Sequence, residues 1–216
     1  MEKVARRIVE KESVSVRAEF DANLSSEIGA LYDAYDLAVE AERRQDVLLL
    51  KWPKGIQKQK AFAMALFAKA SNDILGSWEI LRTGYPDLCQ ATMRSAVEAF
   101  ATAILVDLDT AIYERYITGK FQTHNAPGLV SKREEFTREA RKQYHRVFER
   151  LNKHAHPTIA SLATRLPPDL LGGVLGGRFF SERMPLYRML ITNEMRVLAL
   201  EVAGYLNGYH PRGRPS

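Results

Sequence analysis

Apolar residues recur along the chain at intervals of three and four, the spacing that places them on one face of an α-helix. Five long segments show this pattern: residues 24–44, 56–82, 86–108, 130–155 and 184–208. No segment alternates between apolar and polar residues as a half-buried strand would. The pattern therefore predicts an all-α protein, an irregular helical bundle of five to seven helices.

Local signals predict where several of these helices begin and end. Asn23 or Ser25 suits the start of the first helix, because either side chain can cap free backbone N–H groups. Gly84 suits a left-handed turn after the second helix, and Pro86 suits the first turn of the third. Residues 166–180 are rich in glycine and proline and predict a connection before the final helix.

The helical pattern also suggests how the chain is organised. Residues 56–210 form the bundle, while residues 1–55 form an N-terminal helical segment that either packs on it or extends from it. A short helix is expected over residues 109–119 and a loop over residues 121–128. The basic residues 211–216 are expected to be a disordered tail, since chain ends are commonly poorly ordered.

Composition narrows the class of protein without naming a function. The chain is 46% hydrophobic and 26% charged, as in ordinary globular domains, and its net charge of +5 is compatible with an anionic partner. The N-terminus lacks the apolar core of a signal peptide, and the longest weakly charged stretch is shorter than a membrane span. We therefore expect a cytoplasmic protein with no membrane association. The single Cys89 excludes an intramolecular disulfide and is interpreted as a small core residue.

Two charged residues interrupt the most apolar helix. Arg94 and Glu98 are the only charged residues between Ala91 and Val106, and a separation of four places them on one helical face. A charge inside a bundle must be paired, because an isolated buried charge costs several kcal/mol. Two interpretations stay open: a structural pair that holds this helix in register, or a polar pocket between helices.

A second cluster of polar residues lies at the end of the helix predicted over residues 130–155. Arg150, His154 and His156 could simply complement the negative end of the helix dipole. Alternatively, a histidine could exchange protons near neutral pH while an arginine binds a phosphate. The same segment carries eight Lys/Arg (132, 133, 138, 141, 142, 146, 150 and 153) and four Glu (134, 135, 139 and 149), which gives either a solvated face or a track for a phosphate backbone.

Together these features resemble the HEPN superfamily, and most of all a bacterial branch whose later helix ends in His-Pro. In that superfamily a central apolar helix carries polar residues, and Arg94 and Glu98 match those positions here. The Arg-x(4–6)-His element of that superfamily is matched by Arg150 and His156, which Pro157 follows. Asn152 is placed near the polar residue that accompanies the arginine, one position later than usual.

The resemblance implies a protein that binds RNA or cleaves it as a metal-independent endoribonuclease of a bacterial defence or toxin–antitoxin system. It implies His156 as the acid/base and Arg150 as the phosphate clamp, supported by Glu98 and Arg94. Asn152, Lys153 and His154 would then contact the substrate. A homodimer and a neutralising protein partner also follow from the resemblance, whereas no cofactor or metal does.

Two alternatives to this hypothesis remain. The first is a non-catalytic helical interaction or scaffold protein, in which the Arg94–Glu98 pair is structural. The second is a metal site at His154 and His156, but histidines two apart straddle a helix, and no cysteine or nearby aspartate completes a ligand set.

Overall fold

The computed structural model describes residues 13–49, 51–133, 142, 145–146, 148–151 and 177–208. Within these ranges the chain is helical and contains no strand, so the predicted all-α fold is confirmed. None of the described helices joins enough apolar residues to span a lipid bilayer. In chain order the described α-helices are α1 (Ser13–Leu49), α2 (Lys54–Leu81), α3 (Pro86–Leu108), α4 (Thr110–Ile117), α5 (Ala126–Val130), α6 (Met184–Met189) and α7 (Arg196–Asn207).

Helix α1 begins eleven residues before its predicted start, but it is kinked at that start, where Leu24 has non-helical backbone angles (φ −131°, ψ 20°). Neither proposed cap is used. Asn23 lies inside the helix, where its side-chain amide donates to the carbonyl oxygen of Glu19 at 2.7 Å. The apolar stripe simply continues upstream through Val16 and Phe20, both of them buried. Burial of these two side chains therefore extends the helix beyond a residue that local preferences would have made its first.

Helices α2 and α3 form an antiparallel pair at the centre of the bundle. Lys60 contacts Asp107 near one end of the pair, and Lys69 contacts Ser95 further along. Helix α3 has the predicted bounds and is buried on nearly every side, as its apolar composition predicts. The pair thus forms the frame against which the other helices pack.

The C-terminal helix consists of α6, a π-helical segment Leu190–Met195 and α7, which follow one another without a break. It runs parallel to α1, because Phe20 packs on Tyr187 near the start and Gln45 donates to the Leu206 carbonyl near the end. The sequence predicts one continuous α-helix here and does not predict the wider π turn. Helix α1, within residues 1–55, accordingly packs on the bundle.

Several described residues between α3 and the C-terminal helix differ from the structure that the sequence predicts. The sequence predicts a loop over residues 121–128. Instead, Thr123–Asn125 is a 3-10 turn and Ala126–Val130 is α5, with a proline in its first turn. The helix predicted over residues 130–155 does not start at Val130, because residues 131–133 form a turn. Residues 145–146 and 148–151 are helical, with Leu151 buried, and residues 152–176 lie outside the described ranges.

The backbone of the α2–α3 connection contacts the backbone of the connection that precedes the C-terminal helix. Gly84 has the left-handed conformation that its position predicts, with a φ of 86°. The Arg178 N–H approaches the Gly84 carbonyl oxygen at 3.4 Å, and Gly177 lies directly against Thr83. A side chain at Gly177 would overlap the Thr83 carbonyl oxygen. The connection before the C-terminal helix therefore needs a glycine at 177 for this close approach.

Asp109 caps α4, and we expect its removal to have a measurable cost. Its carboxylate accepts hydrogen bonds from the N–H groups of Ala111 at 2.9 Å and Ile112 at 3.2 Å. Asp109→Ala should lower the free energy of unfolding by about 1 kcal/mol in urea titrations. Asp109→Asn is the control, since its amide oxygen still caps the helix while the ion pair with Arg133 is lost. An equal loss in both variants would assign the effect to the ion pair.

Candidate functional site

The structure describes three of the residues singled out from sequence. Arg94 and Glu98 lie on α3, and Arg150 lies in the helical residues 148–151. The other four (Asn152, Lys153, His154 and His156) lie outside the described ranges. The described part of the site therefore consists of the surroundings of Arg94, Glu98 and Arg150.

Arg94 and Glu98 contact each other as their spacing predicts. Arg94 Nε donates to Glu98 Oε1 at 2.9 Å, one helical turn apart. Their side chains are 23% and 19% exposed, so the pair lies at the margin of α3 rather than inside the core. Partial hydration reduces the cost of burying these charges.

Arg150 forms its ion pair with a carboxylate that the sequence analysis did not single out. Its Nη2 contacts Oε1 of Glu194, from the π-helical segment of the C-terminal helix. The Glu194 side chain has no exposed surface, whereas 34% of the Arg150 side chain remains exposed. The carboxylate of Glu98 contacts Arg94.

Glu194 lies inward because it occupies a position of the apolar stripe. Leu190 precedes it and Leu198 follows it by four residues, and both are buried. The signal was available in the sequence: a glutamate in register with apolar neighbours is as unusual as Arg94 and Glu98 in their helix. Its partner could not be read from spacing, because Arg150 is distant in the chain.

Burial dominates the electrostatics of Glu194. Loss of hydration raises the pKa of this carboxyl to about 7, and the nearby Arg150 guanidinium opposes the rise without cancelling it. In the described part of the chain, Glu194 Oε2 and Arg150 Nε are buried without a hydrogen-bond partner, and Oε1 has only its ion-pair contact with Arg150. A carboxyl of this kind changes its charge near neutral pH, which is uncommon for a glutamate.

Cys89, at the start of α3, lies within electrostatic reach of Glu194. Its side chain is fully buried, and burial raises the pKa of the thiol well above its usual value, with further contributions from Glu194 and Asp87. The thiol therefore stays protonated at neutral pH and is a poor nucleophile. It forms part of the low-dielectric surroundings of Glu194.

A second buried ion pair lies at the end of the α2–α3 pair and was also missed from sequence. Lys60 Nζ contacts Asp107 Oδ1 at 2.8 Å, and Tyr205 donates to Asp107 Oδ2 at 2.9 Å. Gln59 donates to the carbonyl oxygens of Val106 and Asp107. Both carboxylate oxygens of Asp107 are thus satisfied, which is how a buried pair stabilises a junction of helices.

Comparisons with known proteins add no assignment. No protein-family model, curated protein or solved structure matches this chain. Among the described residues, no group of three His, Cys, Asp or Glu side chains is arranged to hold a metal ion. The Arg150–Glu194 pair is accordingly the feature of the structure on which a functional proposal can be based.

Proposed function

We propose that this protein binds RNA and cleaves it without a metal ion, with Arg150 as the phosphate contact and His156 as the acid/base. The observation that carries the proposal is that Arg150 is held by an ion pair and is still partly exposed. A fully buried carboxylate holds one of its nitrogens, while a third of the side chain remains exposed. An arginine fixed in this way is prepared to bind an anion, because little conformational freedom is left to lose.

The proposed chemistry needs one group that moves a proton and one that stabilises negative charge. His156 removes the proton of a ribose 2′-hydroxyl, whose oxygen then attacks the adjacent phosphorus and displaces the 5′-oxygen. The leaving oxygen takes up a proton, and the products carry a 2′,3′-cyclic phosphate and a 5′-hydroxyl. Arg150 offsets the charge that develops on the phosphate oxygens.

The charge of the surrounding segment supports an RNA substrate. Lys142 and Arg146, which precede Arg150 in the chain, are exposed. Exposed cations along a helix can follow a phosphate backbone, with an affinity that falls as salt is raised. Arg94 and Glu98, which contact each other on α3, keep the supporting role that the resemblance implies.

Incubation of the purified protein with RNA in EDTA tests this proposal. Wild-type protein should cleave the RNA, and His156→Ala should lower the rate by about 10²-fold or more, the usual contribution of a general acid/base. Arg150→Ala should also lower it. Arg44→Ala is the matched control, since Arg44 is exposed and pairs with Glu40, one turn away on α1. No cleavage by wild type, or equal cleavage by wild type and His156→Ala, overturns the catalytic proposal.

One observation favours a second candidate, a non-catalytic helical interaction protein. Arg150 and Glu194 neutralise each other, and a buried ion pair can specify how helices assemble without contributing to chemistry. This candidate predicts no RNA cleavage by the folded wild-type protein. The homodimer and neutralising partner implied by the HEPN resemblance belong to the first candidate, and sedimentation of the purified protein measures the dimer directly.

A further inference from the structure

We propose that Glu194 is the positioning residue of the RNA site: it holds the Arg150 guanidinium so that one face stays available to a phosphate. This inference rests on the proposed function and adds to it a residue that the HEPN-like motifs do not include. Glu194 has no exposed surface, so it acts through Arg150 rather than on the RNA itself.

Both ends of the contact are fixed by core packing. Leu151, next to Arg150 in the chain, is fully buried, and so are Ile191 and Met195 on either side of Glu194. Neither backbone can shift without exposing apolar surface, so the carboxylate sets where the guanidinium lies. Glu194 contacts Nη2 and Arg150 Nε is buried, while 34% of the Arg150 side chain stays exposed to a phosphate oxygen.

The Arg150–Glu194 pair also has fewer hydrogen-bond partners than the Lys60–Asp107 pair, which stabilises the same bundle. Asp107 has a partner on each carboxylate oxygen, Lys60 on one and Tyr205 on the other. Glu194 has Arg150 on one oxygen, while its second oxygen and Arg150 Nε lack partners among the described residues. Each buried polar atom left unpaired costs about 1–3 kcal/mol. An arrangement that is costly in the folded protein is common where a side chain is held for function.

Because Glu194 positions Arg150, its ionisation should change the affinity for RNA with pH. The ionisation of a merely structural residue would leave that affinity unchanged. The nearby Cys89 thiol, whose own pKa Glu194 raises, stays neutral. The burial of Glu194 raises its pKa to about 7, and the Arg150 guanidinium opposes that rise. Above this pH the carboxylate is charged and holds Arg150 firmly. Below it the carboxyl is neutral, and the guanidinium is held less strongly.

Two variants of Glu194 and one matched control test this inference. Glu194→Gln should lower kcat for RNA cleavage by about 10- to 100-fold, since a small displacement of a binding group has effects of this size. Glu194→Asp keeps the charge but withdraws it by one methylene, and should show a similar loss if Glu194→Gln fails to fold. Asp107→Asn removes the carboxylate of the other buried pair and should lower stability while leaving kcat of the folded protein near wild type.

A binding measurement isolates the pH signature. In a His156→Ala background, affinity for 2′-O-methylated RNA should change through pH 7, and adding Glu194→Gln should remove that change. The remaining histidines are shared by both proteins and cancel in the comparison. If wild type cleaves RNA but folded Glu194 variants match it in kcat and in pH dependence, the positioning role is wrong. If wild type neither binds nor cleaves RNA, the proposed function itself fails and this role with it.

Discussion

Gly177→Ala should lower the free energy of unfolding by about 3 kcal/mol, the upper range for a group forced into a packed site. The added methyl group would overlap the carbonyl oxygen of Thr83, and the ring edge of Tyr85 would be only 3.1 Å away. Backbone cannot rotate aside as a flexible side chain can. The two connections must therefore separate, and the start of the C-terminal helix moves with them.

Gly204→Ala is the matched control for this prediction. Gly204 lies in α7 with no atom within 4 Å of the site of a Cβ, so alanine there should stabilise the helix by about 0.5–1 kcal/mol. Urea-induced unfolding followed by circular dichroism measures both variants. Equal stability of the two alanine variants would mean that the connections do not meet as closely as described.

The stability of the protein should decrease as the pH rises from 4.5 to 7 because of Glu194. Burial raises the pKa of this carboxyl from its usual 4.5 to about 7 in the folded protein. Between these values the folded state holds a proton that the unfolded state has released. The free energy of unfolding therefore falls through this window, by about 3 kcal/mol once the pH exceeds 7.

Comparison with Glu194→Gln separates this contribution from other titrating groups. The amide does not ionise, while every other acidic and basic group is common to the two proteins. The difference in unfolding free energy, wild type minus variant, should therefore fall by about 3 kcal/mol between pH 4 and pH 8. Parallel curves over that range would show that Glu194 has the same pKa in the folded and unfolded states.

Local chemistry explains where sequence analysis succeeded. Helix α3 matched its predicted bounds because Gly84 and Pro86 determine the turn before it, and its apolar character requires burial. Helix α1 starts earlier than predicted, since burial of Phe20 against Trp78 and Tyr187 extends it upstream. The predicted start remains as a kink at Leu24. A cap preference worth about 1 kcal/mol is smaller than the gain from burying a phenylalanine.

Residue spacing predicts even less of the candidate site than of the helix bounds. Spacing alone placed Arg94 against Glu98, because four residues along a helix fixes that contact. No spacing rule could pair Arg150 with Glu194, which meet only through packing of separate helices. Glu194 itself could have been noticed as a charged residue within an apolar stripe, whereas the π turn that carries it has no comparable sequence signature.

The parallel contact of α1 with the C-terminal helix has a consequence for synthesis on the ribosome. Phe20 leaves the exit tunnel long before Tyr187, on which its ring packs at 4.8 Å between centroids. Trp78 on α2 gives Phe20 an earlier contact, but this side of α1 stays partly uncovered until translation reaches the C-terminal helix, since contacts so distant in sequence form late. The emerging polypeptide therefore completes its interior only when that helix has left the tunnel.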